Sequence, residues 1–453
     1  MGHNKFKVLF FYFFTILILT FNFYSNSWNI IDNQNFESFE SFDEAFIIGR
    51  LALSDKESIF SNAGFPGVCF EKKDIDKVEE LDKLSFLDRN DIVSETLNKQ
   101  LGYYTSSNEL SDDYFPYLSQ SGGQGIFYSL LNEILPINNS VKFKLFRLIN
   151  AFLCALCFTL LIGWARRNFG VLCAVFLLLF ISISPFIIHF SSRLWWSLWS
   201  FYIPFLGLLL LLERKYMHDN ISENKMFMFV FLFAFIKYIF TGFEFSTSVV
   251  FSVLCPIVYY CYMRREKIST FIILSFKSLC VTVAGFMLGL MILFIQLRVY
   301  IGSWEGSFSY IIDSYTRRTE VLGFSFWRIF KSYLKGDAFN INLLNGYDIN
   351  VFFIGVLFII LCSSIFILYK TKDNTDVSKY RALIISFFVS LISPISWFFL
   401  FKEHSYWHPH LDFIVWYIPT LLIGFMIVGI AIQQISLLLR GIIGTGKLRN
   451  ANK

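Results

Sequence analysis

The order of apolar and polar segments constrains the fold of this chain most. An apolar stretch near the N-terminus, at about residues 7–23, is followed by a long polar segment that ends near residue 147. Nearly continuous apolar segments then run to the end of the chain. Because a helix needs roughly 20 apolar residues to cross the hydrocarbon core of a bilayer, this order predicts a polytopic membrane protein with a large loop after its first span.

Ten segments meet or approach this length, which predicts an all-α polytopic membrane protein with about ten transmembrane helices. They lie at about residues 7–23, 148–165, 169–190, 195–212, 226–243, 246–262, 270–297, 350–369, 382–401 and 412–436. The chain is predicted to divide into five parts. These are the N-terminus with the first helix (1–23), a loop domain (24–147), helices two to seven (148–299), a second loop (300–349), and helices eight to ten with the C-terminus (350–453). Apolar residues at helical spacing predict amphipathic helices in the first loop, over Asp74–Leu87 and Asn90–Leu101.

The charge distribution orients the predicted helices. Residues 24–146 hold 20 acidic and 10 basic residues, whereas the whole chain carries a net charge of +5. The other Lys and Arg residues concentrate in short connections on one side of the bundle, around residues 5–7, 166–167, 214–215, 264–267, 370–381 and 440–449. Loops rich in Lys and Arg stay in the cytoplasm. Both termini are therefore predicted to be cytoplasmic and both long loops extracytoplasmic, and these basic residues do not indicate nucleic-acid binding.

Two adjacent carboxylates in the first loop are candidate catalytic residues. Asp43 and Glu44 follow the first span by about 20 residues, in a segment rich in Phe and Ile that could dock onto the helices. A carboxylate held there can deprotonate a hydroxyl group or bind a divalent cation. The alternative is a solvated acidic turn. Arg50, at the end of the same segment, is a candidate substrate-binding residue.

Three of the six histidines lie within seven residues, in the connection before the last span. His404, His408 and His410 could hydrogen-bond phosphate oxygens, or could bind a metal together with Asp43. They could equally be interfacial residues beside the aromatic belt. We treat His404 and His408 as candidate substrate-binding residues, and Mg²⁺ or Mn²⁺ as a candidate cofactor.

Several cations and one intramembrane acid complete the set of candidates. Arg193, Arg317 and Arg318 lie near the predicted outer face, where Arg could contact a phosphate group in bidentate fashion or simply anchor the helices at the interface. Lys237 and Glu244 are charges within or near a span, which normally face a partner or a cavity. They could form a structural ion pair, or Glu244 could contact substrate.

The arrangement resembles the GT-C superfamily of integral membrane glycosyltransferases. The resemblance rests on Asp43-Glu44 in the first outer loop, on Arg147-Leu148-Ile149-Asn150 at the start of the second span and on Arg166-Arg167-Asn168-Phe169-Gly170 after it. It continues with Ser184-Pro185, Arg193 and an aromatic fourth span, and covers roughly residues 1–215.

The resemblance implies a glycosyltransferase that takes a sugar from a polyprenyl-phosphate donor and adds it to a glycan or lipid-linked acceptor. It also implies a bacterial inner membrane, a site that faces the periplasm or exterior, and Asp43 or Glu44 as the general base. Two alternatives remain open. One is an O-antigen polymerase or ligase centred on Arg317, Arg318 and His404. The other is a transporter of polysaccharide or lipid-linked sugar, with Lys237 and Glu244 along its pathway.

Overall fold

The protein is described from a computed structural model, which covers residues 2–38, 41–70, 98–105, 113–218, 221–319, 325, 327, 349–370 and 378–450. The predicted helix Asp74–Leu87, most of Asn90–Leu101 and most of the second loop lie outside these residues. The described elements, in chain order, are α1 (Gly2–Ser25), α2 (Asn33–Ser38), α3 (Ser41–Ser54), β1 (Gly67–Phe70), β2 (Asp113–Pro116), α4 (Gly123–Ile134), α5 (Asn139–Phe169), α6 (Val171–Ile183), α7 (Pro185–Ser191), α8 (Trp199–His218), α9 (Glu223–Thr241), α10 (Ser246–Ser252), α11 (Leu254–Arg264), α12 (Ile268–Ile301), α13 (Trp304–Thr319), α14 (Ile349–Lys370), α15 (Ser378–Ser390), α16 (Ile392–Leu400), α17 (Lys402–Trp407), α18 (Pro409–Asp412) and α19 (Thr420–Asn450). Residues 98–105 are also helical, and two short 3-10 helices span Ser61–Gly64 and Phe413–Tyr417.

The described residues form an almost wholly helical membrane protein, as the sequence predicts. Seven helical segments are long and apolar enough to cross a bilayer, or eight if α6 and α7 count as one bent span. In this count α10 with α11, and α15 with α16, each form one span. The expected number of ten is not confirmed.

Two of the predicted spans differ from the structure for local reasons. The third is bent by 67° between α6 and α7, where Pro185 begins the second helix and removes a backbone donor from the continuing helix. The fourth helix begins at Trp199, four residues after the predicted start at 195, because the preceding residues form a turn with Ser197 at φ 37°. Its apolar part is therefore shorter than a full span.

The first loop is folded against the helices. The helix α3 packs against a small antiparallel sheet, in which β1 pairs with β2 so that Val68 faces Phe115. All eight residues 45–52 of α3 are buried. Seven of them are hydrophobic residues or glycine, such as Ile47, Ile48 and Leu51, and the eighth is Arg50. This sheet is the one departure from all-α structure in the described residues, and it fixes α3 at one end of the helical bundle.

Close packing of α4 on α9 depends on a small residue. A Cβ atom at Gly123, in the first turn of α4, would lie 2.3 Å from Cγ2 of Ile239 and 2.6 Å from its carbonyl oxygen. Ser121, just before α4, donates a hydrogen bond to the same carbonyl at 3.0 Å. The residues that precede α4 therefore lie beside the C-terminal end of α9, where Glu244 follows.

Candidate functional site

Glu44 anchors α3 to the turn between α7 and α8. Its side chain is 1% exposed, and its carboxylate accepts hydrogen bonds from the backbone N–H of Leu194 at 2.9 Å and of Trp195 at 3.3 Å. A buried carboxylate needs such donors, because its desolvation would otherwise be costly. The observed contacts of Glu44 are thus structural ones, and they hold the preceding residue, Asp43, in place.

Asp43 is partly exposed, and its carboxylate acts electrostatically on the phenol of Tyr117, as do Glu244 and Arg318. Burial raises the pKa of Tyr117 to about 12; Arg318 opposes this rise, whereas Glu244 and Asp43 add to it. Around the same phenol, the rings of Phe46, Tyr117 and Trp195 pack with centroids 5.1 to 5.3 Å apart. The charges of Asp43, Glu244 and Arg318 therefore all act on the Tyr117 phenol, and Arg318 contacts it directly.

Glu244 lies in the turn that follows α9, and Lys237 holds the backbone of that turn. The Nζ atom of Lys237 donates hydrogen bonds to the carbonyl oxygens of Gly242 at 2.8 Å and of Glu244 at 2.6 Å. The helix ends at Thr241, since Gly242 has φ 57°. The structural ion pair considered for Lys237 and Glu244 is therefore not the observed contact: the lysine binds main-chain oxygens, and the carboxylate of Glu244 points elsewhere.

The carboxylate of Glu244 lies between an arginine and a histidine from distant helices. Its Oε1 atom is 4.0 Å from Nη2 of Arg318, and its Oε2 atom is 3.5 Å from Nε2 of His404. Arg318 also donates a hydrogen bond to Tyr117 Oη at 3.4 Å. Arg317, the neighbouring residue on α13, is exposed and contacts Ser314 of its own helix.

A fully buried carboxylate holds the other side of the His404 ring. Oδ1 of Asp412 is 3.3 Å from Nδ1 of His404, and Oδ2 accepts a hydrogen bond from Nε1 of Trp397 at 2.9 Å. Burial lowers the pKa of His404, but Asp412 and Glu244 raise it by more, and the result lies above the ordinary histidine value although Arg318 opposes them. The site therefore favours an imidazolium at position 404.

Asp43, Tyr117, Glu244, Arg318, His404 and Asp412 together form what we call the polar cluster. Two predicted binding residues lie away from it. Arg50 is fully buried and donates hydrogen bonds to the carbonyl oxygens of Ser61 at 2.6 Å and Ser58 at 2.9 Å. Arg193 is 3% exposed and donates to the carbonyl oxygens of Phe36 and Glu37 at the end of α2. Both guanidinium groups thus tie loop backbone in place.

The remaining histidines flank the cluster. His408 is exposed, and its ring centroid lies 4.9 Å from that of His404. His410 belongs to α18. No three His, Cys, Asp or Glu side chains of the described residues converge as ligands of one metal ion. The side chain of His410 lies outside the described part of the structure, so the metal site considered for Asp43, His404, His408 and His410 stays a prediction.

A mainly apolar cavity of about 420 Å³ adjoins the polar cluster. Its apolar walls come from α9, the following turn, and α12, with Tyr238, Phe243, Phe286 and Leu290 among the lining residues. Arg318 lines the same cavity and also contacts Glu244. The cavity therefore combines an apolar lining with a neighbouring cation, which suits an amphipathic ligand that carries an anionic group.

Two members of the polar cluster, Tyr117 and Asp412, were not among the predicted residues. Asp412 follows the His404–His410 segment directly, and its acidic side chain just before an apolar span is a signal that could have identified it. Tyr117 has no comparable signal, since the chain contains 22 tyrosines.

Comparison with known proteins supports the glycosyltransferase resemblance. The family model of the Alg9-like mannosyltransferase family matches residues 124–310, which is less than half of the chain. Of the polar cluster, Glu244 lies in this stretch and the other five residues lie outside it. Arg193 and much of the cavity wall also lie within the matched residues. No similarity to a curated protein or to a solved structure is detected. The family match confirms the resemblance of this membrane protein to the GT-C superfamily of glycosyltransferases.

Proposed function

We propose that this protein transfers a hexose, with mannose as the first candidate, from a polyprenyl-phosphate donor to a glycan or lipid-linked acceptor at the extracytoplasmic face. The observation that carries the proposal is the junction of an apolar cavity with a polar cluster that contains both carboxylates and cations. A polyprenyl phosphate sugar has this same division, with an apolar tail, an anionic link and a polar sugar.

The donor would lie with its tail along the cavity and its phosphate beside Arg318. The cavity wall near Phe286 and Leu290 is apolar, and Arg318 is the cation that lines it. Arginine can contact phosphate oxygens in bidentate fashion. His404, on the other side of Glu244, would supply a second donor to the same phosphate.

Asp43 would act as the general base on the acceptor hydroxyl. As Asp43 accepts the proton, the acceptor oxygen attacks the anomeric carbon, and the bond from that carbon to the phosphate oxygen breaks. The electron pair leaves with the polyprenyl phosphate, whose added negative charge is stabilised by Arg318 and His404. A single displacement of this kind inverts the anomeric configuration.

The orientation of the site rests on the positive-inside rule. The opposite end of the bundle carries Arg167, paired with Glu213 at 2.5 Å, and Arg264 at the end of α11. Those cations belong to the short basic connections that the rule assigns to the cytoplasm. This argument favours an extracytoplasmic position for the polar cluster, and the bacterial inner membrane remains the proposed location.

The experiment is a comparison of glycans by mass spectrometry in a deletion strain that carries the wild type, Asp43→Asn or a control variant. Glu305→Gln is the matched control, because it removes an exposed carboxylate on α13. We expect wild type and control to restore a missing hexose, and Asp43→Asn to fail at equal protein level in the membrane.

Two outcomes would contradict parts of the proposal. If the deletion removes no sugar, the transferase function is wrong. In a second outcome, Asp43→Asn restores the glycan, while Arg318→Gln or His404→Gln leaves unpolymerised or unattached glycan. A polymerase or ligase function would then replace the transferase function, since Arg318 and His404 meet at Glu244 whatever the role of Asp43.

A further inference from the structure

The carboxylate of Asp412 is the most deeply buried acid of the polar cluster. It is 0% exposed, and each of its oxygens lies beside a different ring nitrogen: Nδ1 of His404 at 3.3 Å and Nε1 of Trp397 at 2.9 Å. Burial of a carboxylate is unfavourable unless charged or hydrogen-bonded partners compensate. The hydrogen bond from Trp397 therefore anchors Asp412, and its other oxygen lies at ion-pair distance from the ring of His404.

The contact with Asp412 is consistent with one orientation of the His404 imidazole, and this orientation sets the direction in which Nε2 can donate a hydrogen bond. With Nδ1 directed at Asp412, Nε2 is directed at Glu244 and the side of the cluster that contains Arg318. The ring of Trp397 lies edge-on to that of His404, with centroids 5.5 Å apart, and restricts its rotation. Nε2 of His404 is thus directed at Glu244, on the side of the cluster where Arg318 lines the cavity.

We propose that Asp412 is a positioning residue that keeps Nε2–H of His404 directed at the phosphate of a polyprenyl phosphate, with Glu244 as the resident anion that this phosphate replaces. The inference rests on the proposed function, because it assumes that a phosphate occupies the space beside Arg318. It adds a specific role: Asp412 does not contact the ligand and acts through His404 alone. Its removal should therefore weaken recognition of the phosphate group and spare recognition of the tail.

The test compares two ligands that differ only in the phosphate. Binding of a short polyprenyl phosphate and of the corresponding polyprenol is measured with the full-length protein in nanodiscs. For Asp412→Asn we expect roughly tenfold weaker binding of the phosphate, in line with the usual contribution of a hydrogen bond to a charged group, and unchanged binding of the alcohol. Asp412→Glu should recover part of the loss, and Glu305→Gln should bind both ligands like the wild type.

A double-mutant cycle separates action through His404 from an independent role. His404→Gln should lose the same phosphate preference, and addition of Asp412→Asn to it should cause no further loss. Trp397→Phe keeps an aromatic ring and removes the N–H group that binds Asp412, together with part of the indole ring system, so it provides a second variant if Asp412→Asn does not yield folded protein. We expect a smaller but phosphate-selective loss for it.

Each alternative result has a distinct meaning. Equal weakening of the binding of both ligands in Asp412→Asn would show a purely structural role and overturn the inference. Full additivity with His404→Gln, or an unchanged affinity for the phosphate, would also overturn it. If the wild type binds the phosphate no better than the alcohol, the proposed donor site itself is wrong, and the inference falls with it.

Discussion

Oε2 of Glu244 lies 3.5 Å from Nε2 of His404, although seven described helices, α10 to α16, separate the two residues in the chain. Glu244 belongs to the turn after α9, and His404 to the short helix α17. The carboxylate faces Arg318 on its other side. It therefore balances two cations, and an incoming phosphate would compete with it for both of them.

Adjacent carboxylates on α3 should have opposite mutational effects. Glu44→Gln removes the charge that accepts hydrogen bonds from Leu194 and Trp195, so we expect a loss of about 1–3 kcal/mol in stability and a lower midpoint of thermal unfolding. Asp43→Asn should leave that midpoint nearly unchanged and reduce sugar transfer by about 100-fold or more. A large loss of stability with retained transfer in Asp43→Asn, together with lost transfer at unchanged stability in Glu44→Gln, would exchange the two roles.

The adjacent arginines on α13 provide a second matched pair. Arg318 lines the cavity and contacts Glu244, whereas Arg317 is exposed. Arg318→Gln should weaken the binding of polyprenyl phosphate by roughly tenfold or more, because it removes a charge-assisted contact, and Arg317→Gln should change it by less than about twofold. Isothermal titration in nanodiscs measures both; a larger effect at Arg317 would contradict the position of the phosphate.

Removal of the resident anion should strengthen phosphate binding. In Glu244→Gln, Arg318 and His404 lose the carboxylate that they share, so an incoming phosphate no longer competes with it. At mildly acidic pH, where His404 is charged, we expect affinity for polyprenyl phosphate to rise by about two- to tenfold. Weaker binding in this variant would instead indicate that Glu244 contacts the sugar or acceptor directly.

Binding of the phosphate should fall as the pH rises through the raised pKa of His404. The groups that face its ring are Asp412, Glu244, Arg318 and His408, and the net effect of burial and charge keeps its pKa above the ordinary value. A raised pKa favours the charged form, which is present below that pKa and lost above it. His404→Gln should bind weakly and lose the fall in affinity above the histidine pKa, keeping only the change caused by the second ionisation of the phosphate itself. A dependence equal to that of the wild type would assign the titration to another group.

Lys237 should be required for the turn that presents Glu244. Lys237→Met leaves the carbonyl oxygens of Gly242 and Glu244 without their buried donor, which should cost about 1–3 kcal/mol. Lys225, an exposed lysine on the same helix, is the control, and Lys225→Met should unfold at the temperature of the wild type. The measurement is thermal unfolding in detergent, and equal midpoints for both variants would contradict the role of Lys237.

The sequence by itself determined the features that depend on local composition. Apolar segments of span length predict membrane helices because each helix satisfies its own backbone hydrogen bonds in lipid. The chemistry of Asp43, Glu244, Arg318 and His404 also made each of them a candidate individually. The pattern could not predict the shift of the fourth helix to Trp199, which follows from a turn at Ser197.

Only the tertiary structure decided which candidates meet. Glu44, Arg50 and Arg193 carry the same charges as their neighbours in the cluster, but they satisfy buried backbone groups. Arg317 and Arg318 are adjacent in sequence, and helix geometry directs one outward and the other into the cavity. Asp412 reaches His404 because α17 and α18 fold back on each other before the last span. Such contacts depend on packing between distant segments, which hydropathy and charge along a single chain do not encode.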